Sequence, residues 1–267
     1  MQFKNLGFSN AAGQKLSARI DLTEGEKPLA YALFAHCFTC SKNIKAISHI
    51  SRALTHRGIG VLRFDFTGLG ESEGDFSDTN FTSNVDDLVM AADFLKINYE
   101  APKILIGHSL GGTAVLQSAA RILSAVAVIT IAAPADPAHV SRALGKSSEI
   151  IERRGEADVD LAGRTFKIKK QFLDDLAAVR MQETIRNLNR ALLIFHSPYD
   201  KIVDIENAAK IFQTARHPKS FISLDKADHL LMDKKDSLYV GAIIATWALK
   251  YIAPDLITEP GFIDENF

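Results

Sequence analysis

The chain has 267 residues, 47% of them hydrophobic and 24% charged, which is enough to bury one sizeable core and fits a single large α/β domain better than two small ones. A formal net charge of -1 supplies no basic field, so neither nucleic acid nor an anionic membrane is expected as a partner. The apolar stretches 122–135 and 240–249 are too short or too interrupted to span a bilayer, and the start, Met1-Gln2-Phe3-Lys4-Asn5-Leu6-Gly7, lacks the apolar core of a signal peptide, so a cytoplasmic location is expected.

In chain order, strand-like runs at 2–8 and 15–21 flank the turn-rich Ser9-Asn10-Ala11-Ala12-Gly13-Gln14 and predict an opening hairpin. Short, continuous apolar runs at 30–35, 60–64, 103–107, 125–131, 191–196 and 220–224 predict buried parallel strands. Helical patterns at 42–56, 84–98, 112–123, 205–215 and 238–251 fill the gaps between them. This alternation predicts a mostly parallel sheet covered on both faces, with its ligand site beyond the carboxyl ends of the strands. Between 134 and 189 the rhythm breaks. The segment carries Arg142, Lys146, Glu149, Glu152, Arg153, Arg154 and Glu156, shows no buried-strand pattern, and reads as a small, mainly helical cap with helices at 138–151 and 166–179.

The chemistry concentrates at Gly107-His108-Ser109-Leu110-Gly111, which follows one predicted strand and opens a helix. A Gly-x-Ser-x-Gly match alone is weak, because a serine there also serves as an ordinary N-cap. In a strand, sharp turn and helix it becomes a nucleophile elbow, whose glycines allow the strained turn that lifts the serine hydroxyl above the sheet edge. Ser109 is therefore the candidate nucleophile. A serine hydroxyl needs a histidine to take its proton and a carboxylate to hold that histidine in the right tautomer. Of eight histidines, His229 follows the last predicted strand and is the best placed. His36, His108 and His196 lie at the same edge but end a strand, fill the variable elbow position and precede the acid loop, respectively. His49, His56, His139 and His217 read as helix or helix-end residues. Asp200 and Asp204 compete for the third role in the loop after 191–196. The turn at Pro198-Tyr199 favours Asp200, whereas Asp204 reads as an N-cap and Asp228 as a solvated loop charge. The resulting chain order, Ser109, Asp200, His229, suits this scaffold. Backbone N–H groups must meet the developing oxyanion, and the expected donors are Leu110, directly after the nucleophile, and Phe38, in the loop after 30–35, with the neighbouring Cys37 as the second choice there.

These residues resemble the α/β-hydrolase fold family, over roughly 30–251. Asp65-Phe66-Thr67-Gly68-Leu69-Gly70-Glu71-Ser72 is similar to the Asp-x-x-Gly-x-Gly-x-Ser turn of those enzymes, while His36-Cys37 departs from their usual His-Gly. The resemblance implies carboxylic-ester hydrolysis of a small-molecule ester substrate, and no cofactor is expected. One α/β-hydrolase domain over 1–267 with a cap insertion at about 134–189 is expected, and because that cap is modest and rich in charge, small or medium acyl groups are expected to be preferred over long-chain lipids. The Cys37-Phe38-Thr39-Cys40 stretch narrows the resemblance to the hydrolase half of proteins that fuse such a domain to an OsmC-type domain. An OsmC-type domain in a longer parent, or as a partner, is thereby implied, and 252–267 would suit a linker or a packed extension. The same Cys-x-x-Cys supports a rival class, a redox-responsive or metal-binding module. Zinc is not expected without further ligands, and the plain expectation is two small semi-buried thiols, since a disulfide would distort the loop that carries Phe38. A third class is a hydrolase-like binding module without catalysis, against which the full Ser109, Asp200 and His229 set argues.

Overall fold

A computed structural model describes residues 2–258 apart from 26 and 162. The hairpin β1 (Gln2–Ser9) and β2 (Lys15–Leu22) forms one edge of an eight-stranded sheet. β3 (Ala30–Ala35), β4 (Ile59–Phe64), β5 (Ile104–His108), β6 (Ala127–Ile131), β9 (Ala191–His196) and β10 (Lys219–Ser223) follow the predicted apolar runs to within two residues at each end. The strand order is β1-β2-β4-β3-β5-β6-β9-β10, antiparallel at β1/β2 and β2/β4 and parallel from β4 to β10. The interior strands β3 to β6 and β9 are buried along their whole length, which is why they read as unbroken apolar runs.

Helices cover both faces and bury two clusters. On one face, α1 (Lys45–Thr55) packs against α9 (Lys234–Ile252), closing Ile47, Ile50, Val240 and Ile244 onto Phe34, Ile106 and Phe195. The other face carries α2 (Phe81–Asn98), α3 (Leu110–Ser118) and α8 (Glu206–Thr214), which close over Leu33, Leu62, Leu105 and Leu192. The start of α2 lies three residues before the predicted one, because Asn80 and Ser83 form a reciprocal capping box there. Among the described residues no helix is long and apolar enough to cross a membrane.

The segment between β6 and β9 corrects the expectation of a mainly helical insertion. It holds α4 (His139–Ala143), α5 (Lys146–Arg154), a separate antiparallel hairpin β7 (Glu156–Leu161) and β8 (Arg164–Lys169), α6 (Lys170–Ala178) and α7 (Met181–Arg186). Residues 166–169, expected to begin a helix, are strand: in Arg-Thr-Phe-Lys-Ile-Lys the apolar side chains alternate, and Phe166 and Ile168 turn inward. The single expected helix at 138–151 is two, separated by Gly145 at φ 53°. Beyond α9 a short 3-10 turn spans Pro254–Thr258; the remainder of the tail expected to be a linker or packed extension lies outside the described residues.

Candidate active site

The elbow forms where β5 ends and α3 begins. Ser109 sits between them at φ 55° and ψ -128°, a conformation that costs about 1–3 kcal/mol and persists only where its surroundings enforce it. Two glycines provide that enforcement. A Cβ on Gly107 would stand 2.2 Å from the Gly111 carbonyl oxygen, and one on Gly111 would stand 2.4 Å from that of His36. The second approach also brings the start of α3 against the chain leaving β3, so Leu110 and the 36–42 loop share one wall.

Ser109, His229 and Asp200 come together from three strand ends. His229 Nδ1 lies 2.7 Å from Asp200 Oδ2, and its Nε2 lies 3.0 Å from Ser109 Oγ. With Nδ1 facing a carboxylate, that nitrogen carries the proton, which leaves Nε2 to accept the serine hydroxyl. The other oxygen of Asp200 accepts the N–H groups of Ile202 and Val203, at 2.8 and 3.0 Å. Burial pushes the Asp200 carboxyl up, yet the His229 contact and these amides outweigh it and hold the group below its ordinary pKa. Asp204 is exposed, and contrary to expectation its side chain does not cap α8: among the described residues its hydrogen bonds are those its carbonyl accepts from Asn207. Asp228 is exposed as expected, but its carboxylate accepts the Leu230 and Met232 N–H groups and so shapes the turn after His229.

Two further histidines support this arrangement. His108 Nε2 lies 2.6 Å from the His229 carbonyl oxygen, and the two rings are 5.1 Å apart. Burial, then the neighbouring His229, pushes the His108 pKa down to about 3, so its ring is neutral and donates one proton to that carbonyl. His196 Nε2 donates to the Val203 carbonyl across the turn that holds Asp200, at 2.7 Å, and burial lowers its pKa as well.

The 36–42 loop is tied down more strongly than sequence reasoning foresaw. Lys42 is only 3% exposed, and its Nζ lies 2.6 Å from both Asp65 and Glu71. Its N–H also donates to Asp65, while its carbonyl accepts from Arg63, which is itself paired with Asp21 at 2.8 Å. The Asp65–Ser72 turn is thus the anchor of the loop carrying Phe38. Arg63 had a signal, a lone charge inside an apolar strand run that demands a buried partner. Lys42 had none. Cys37 and Cys40 are joined in a disulfide, correcting the expectation of two thiols, and the Cys40 N–H donates to the Cys37 carbonyl in the same turn. Leu110 opens α3, so its N–H belongs to the unpaired amides of a helix start, and the Phe38 N–H has no hydrogen-bond partner among the described residues. Among those residues no group of three or more His, Cys, Asp or Glu is arranged to hold a metal ion.

An esterase domain from Rhodothermus marinus is similar to this chain at 53% identity, over 94% of this chain and 100% of that one, with a TM-score of 0.78. The chain belongs to the α/β-hydrolase family of serine hydrolases. Within that family, the profile described as serine aminopeptidase, S33 matches residues 28–155. Est1E from Butyrivibrio proteoclasticus, solved with ferulic acid bound, is 21% identical with a TM-score of 0.82 over 93% of this chain and 99% of its own, a likeness of fold. Mouse mitochondrial palmitoyl-protein thioesterase ABHD10 is 26% identical over 198 residues, 72% of this chain and 65% of the relative. The α/β-hydrolase sheet is the mostly parallel, eight-stranded one described above, and its strand ends carry Ser109, Asp200 and His229.

Proposed function

We propose that this hydrolase is a carboxylesterase acting through Ser109, His229 and Asp200 and an acyl-enzyme intermediate. Ser109 Oγ bonds to the ester carbonyl carbon while His229 Nε2 takes its proton; the carbon–oxygen bond to the alcohol breaks, and the alcohol leaves with that proton. Water then repeats the sequence, with His229 again as base, and releases the acid. Asp200 holds His229 in the required tautomer, and the Phe38 and Leu110 N–H groups receive the oxyanion. The observation that carries the reading is the relay of 2.7 and 3.0 Å contacts onto a serine held at positive φ.

The segment at about 134–189 is read as a cap over this site. In support, the Phe38 ring packs 5.2 Å from both Phe76 and Phe172, and Phe76 packs 5.2 Å from Phe166, so β8 and α6 reach the loop of the first oxyanion donor. That aromatic packing favours small or medium acyl groups. The Rhodothermus marinus relative, described as an esterase domain, supports ester cleavage and leaves an OsmC-type domain in a longer parent within the proposal. The mouse thioesterase puts thioesters on the substrate panel.

A serine-directed phosphonate is expected to label Ser109, and Ser109→Ala to lose at least about 10⁴-fold in turnover, because triad members act as a unit. Labelling at another residue, or an active Ser109→Ala protein, would rule this mechanism out. Across a series of p-nitrophenyl esters kcat/KM is expected to peak at short or medium acyl lengths. A maximum at long chains, or activation by a lipid interface, would make the segment a lipase-type lid instead.

A further inference from the structure

Beside the elbow lies a small cavity lined by Phe38, Phe66, Phe81, Asn84, Leu110 and Ala114, with a free volume of about 10 Å³. That is about the space one water-sized group needs. Its position is informative, since Phe38 and Leu110 are the residues whose amides are proposed to receive the oxyanion. The cavity thus adjoins the two residues against which the first carbons of a bound acyl group are proposed to sit.

The walls are almost wholly hydrocarbon. His36 also borders the space, but both of its ring nitrogens are engaged: Nδ1 at 2.7 Å from the Cys37 carbonyl and Nε2 at 3.3 Å from the Phe66 N–H. Asn84 is different. It stands on the first turn of α2, is 7% exposed, and its Nδ2 has no hydrogen-bond partner among the described residues. A buried amide without a partner is costly, and the large majority of such groups in folded proteins are satisfied.

We propose that Asn84 is a specificity residue, whose amide donates to a hydroxyl or oxo oxygen on the acyl chain two or three bonds from the ester carbonyl. The substrate class is then short hydroxyacyl or oxoacyl esters, a conclusion that rests on the reading of Ser109 as nucleophile. One oxygen fills the cavity and pairs the amide, whereas a plain alkyl chain leaves the amide unpaired. Sites built around a buried polar group reject analogues that lack its partner, because the group then stays unsatisfied in the bound complex.

The test compares kcat/KM for the p-nitrophenyl esters of butyrate, 2-hydroxybutyrate and 3-hydroxybutyrate on the full chain. Wild type is expected to favour one hydroxy ester over butyrate by about 10-fold or more, and Asn84→Leu to bring that ratio close to one. Ratios near one in wild type, or a preference that survives in Asn84→Leu, would overturn the proposal. Should Asn84→Leu fail to fold, Asn84→Ala serves for the same ratio, and the wild-type ratio is decisive against the proposal by itself. Binding of free 3-hydroxybutyrate, 2-hydroxybutyrate and butyrate to Ser109→Ala protein, followed by NMR titration, reads the same selectivity without turnover. Hydrolysis by Ser109→Ala would defeat the nucleophile reading alone, while equal binding of the three acids would defeat the Asn84 reading alone.

Discussion

Asp200 and Asp204 share one loop, and their surroundings separate them. Asp200 is buried and accepts from His229, Ile202 and Val203, whereas Asp204 lies exposed with its carboxylate directed to no described donor. Asp200→Asn turns one acceptor into a donor opposite His229 Nδ1 and favours the wrong tautomer, a change that costs about 10⁴-fold in a serine protease. Steady-state rates are therefore expected to collapse in Asp200→Asn and to change by less than about threefold in Asp204→Asn. Equal rates in the two variants would exclude Asp200 from the orienting role, and a defect in Asp204→Asn alone would transfer it. At this scale the groups that share a hydrogen-bonded relay were legible, because strand, turn and helix patterns mark the edge where they converge. Partners set by side-chain reach were not. The His108 proton on the His229 carbonyl depends on a contact 121 residues away, and nothing in Gly-His-Ser-Leu-Gly encodes its direction.

Among the elements, the loop from His36 to Lys42 carries most of the unforeseen structure. Its far end is held by Lys42 and Asp65 and its middle by the Cys37–Cys40 disulfide together with the Cys40 N–H bond to Cys37. The hydrogen bond closes the same turn as the disulfide, and a bridge across so few residues removes little entropy from the unfolded chain. Cys37→Ser combined with Cys40→Ser is therefore expected to keep ester hydrolysis within about threefold, with and without reductant. A loss of kcat beyond about tenfold in a variant that still melts cooperatively would show that the disulfide itself holds the Phe38 amide in place. Element boundaries were legible where an apolar run is continuous and fully buried, as for β3 and β9, which match their apolar runs residue for residue. The hairpin β7 and β8 was hidden because its strands are half exposed and rich in charge, so the alternation that defines them was masked by the composition expected of a helix surface.

On the scale of the whole molecule, the site is joined to the sheet's helical cover through Asp87. This residue of α2 accepts the Thr67 N–H at 2.9 Å and its hydroxyl at 2.9 and 3.1 Å, so α2 holds the turn that holds the 36–42 loop. The sequence pattern places α2 on the sheet but does not disclose this tie, since an aspartate in a helix is most often solvated. Burial raises the Asp87 pKa to about 6 from 3.8, even though the Thr67 bonds pull it down. Between roughly pH 4 and 6 the folded protein therefore retains a proton that the unfolded chain has released, and stability falls as pH rises through that window. Below it both states are protonated, and above it both are ionised, so the contribution is constant on either side. At 1.36 kcal/mol per pKa unit the change is on the order of 3 kcal/mol. Asp87→Asn keeps an acceptor for the Thr67 N–H and cannot titrate. Denaturant melts of the two proteins from pH 4 to 7 are expected to show the variant gaining on wild type as pH rises, by up to about 3 kcal/mol. A stability gap that stays constant across that range would mean that Asp87 enters the fold already ionised and that α2 is tied to the site by a charged, fully compensated carboxylate.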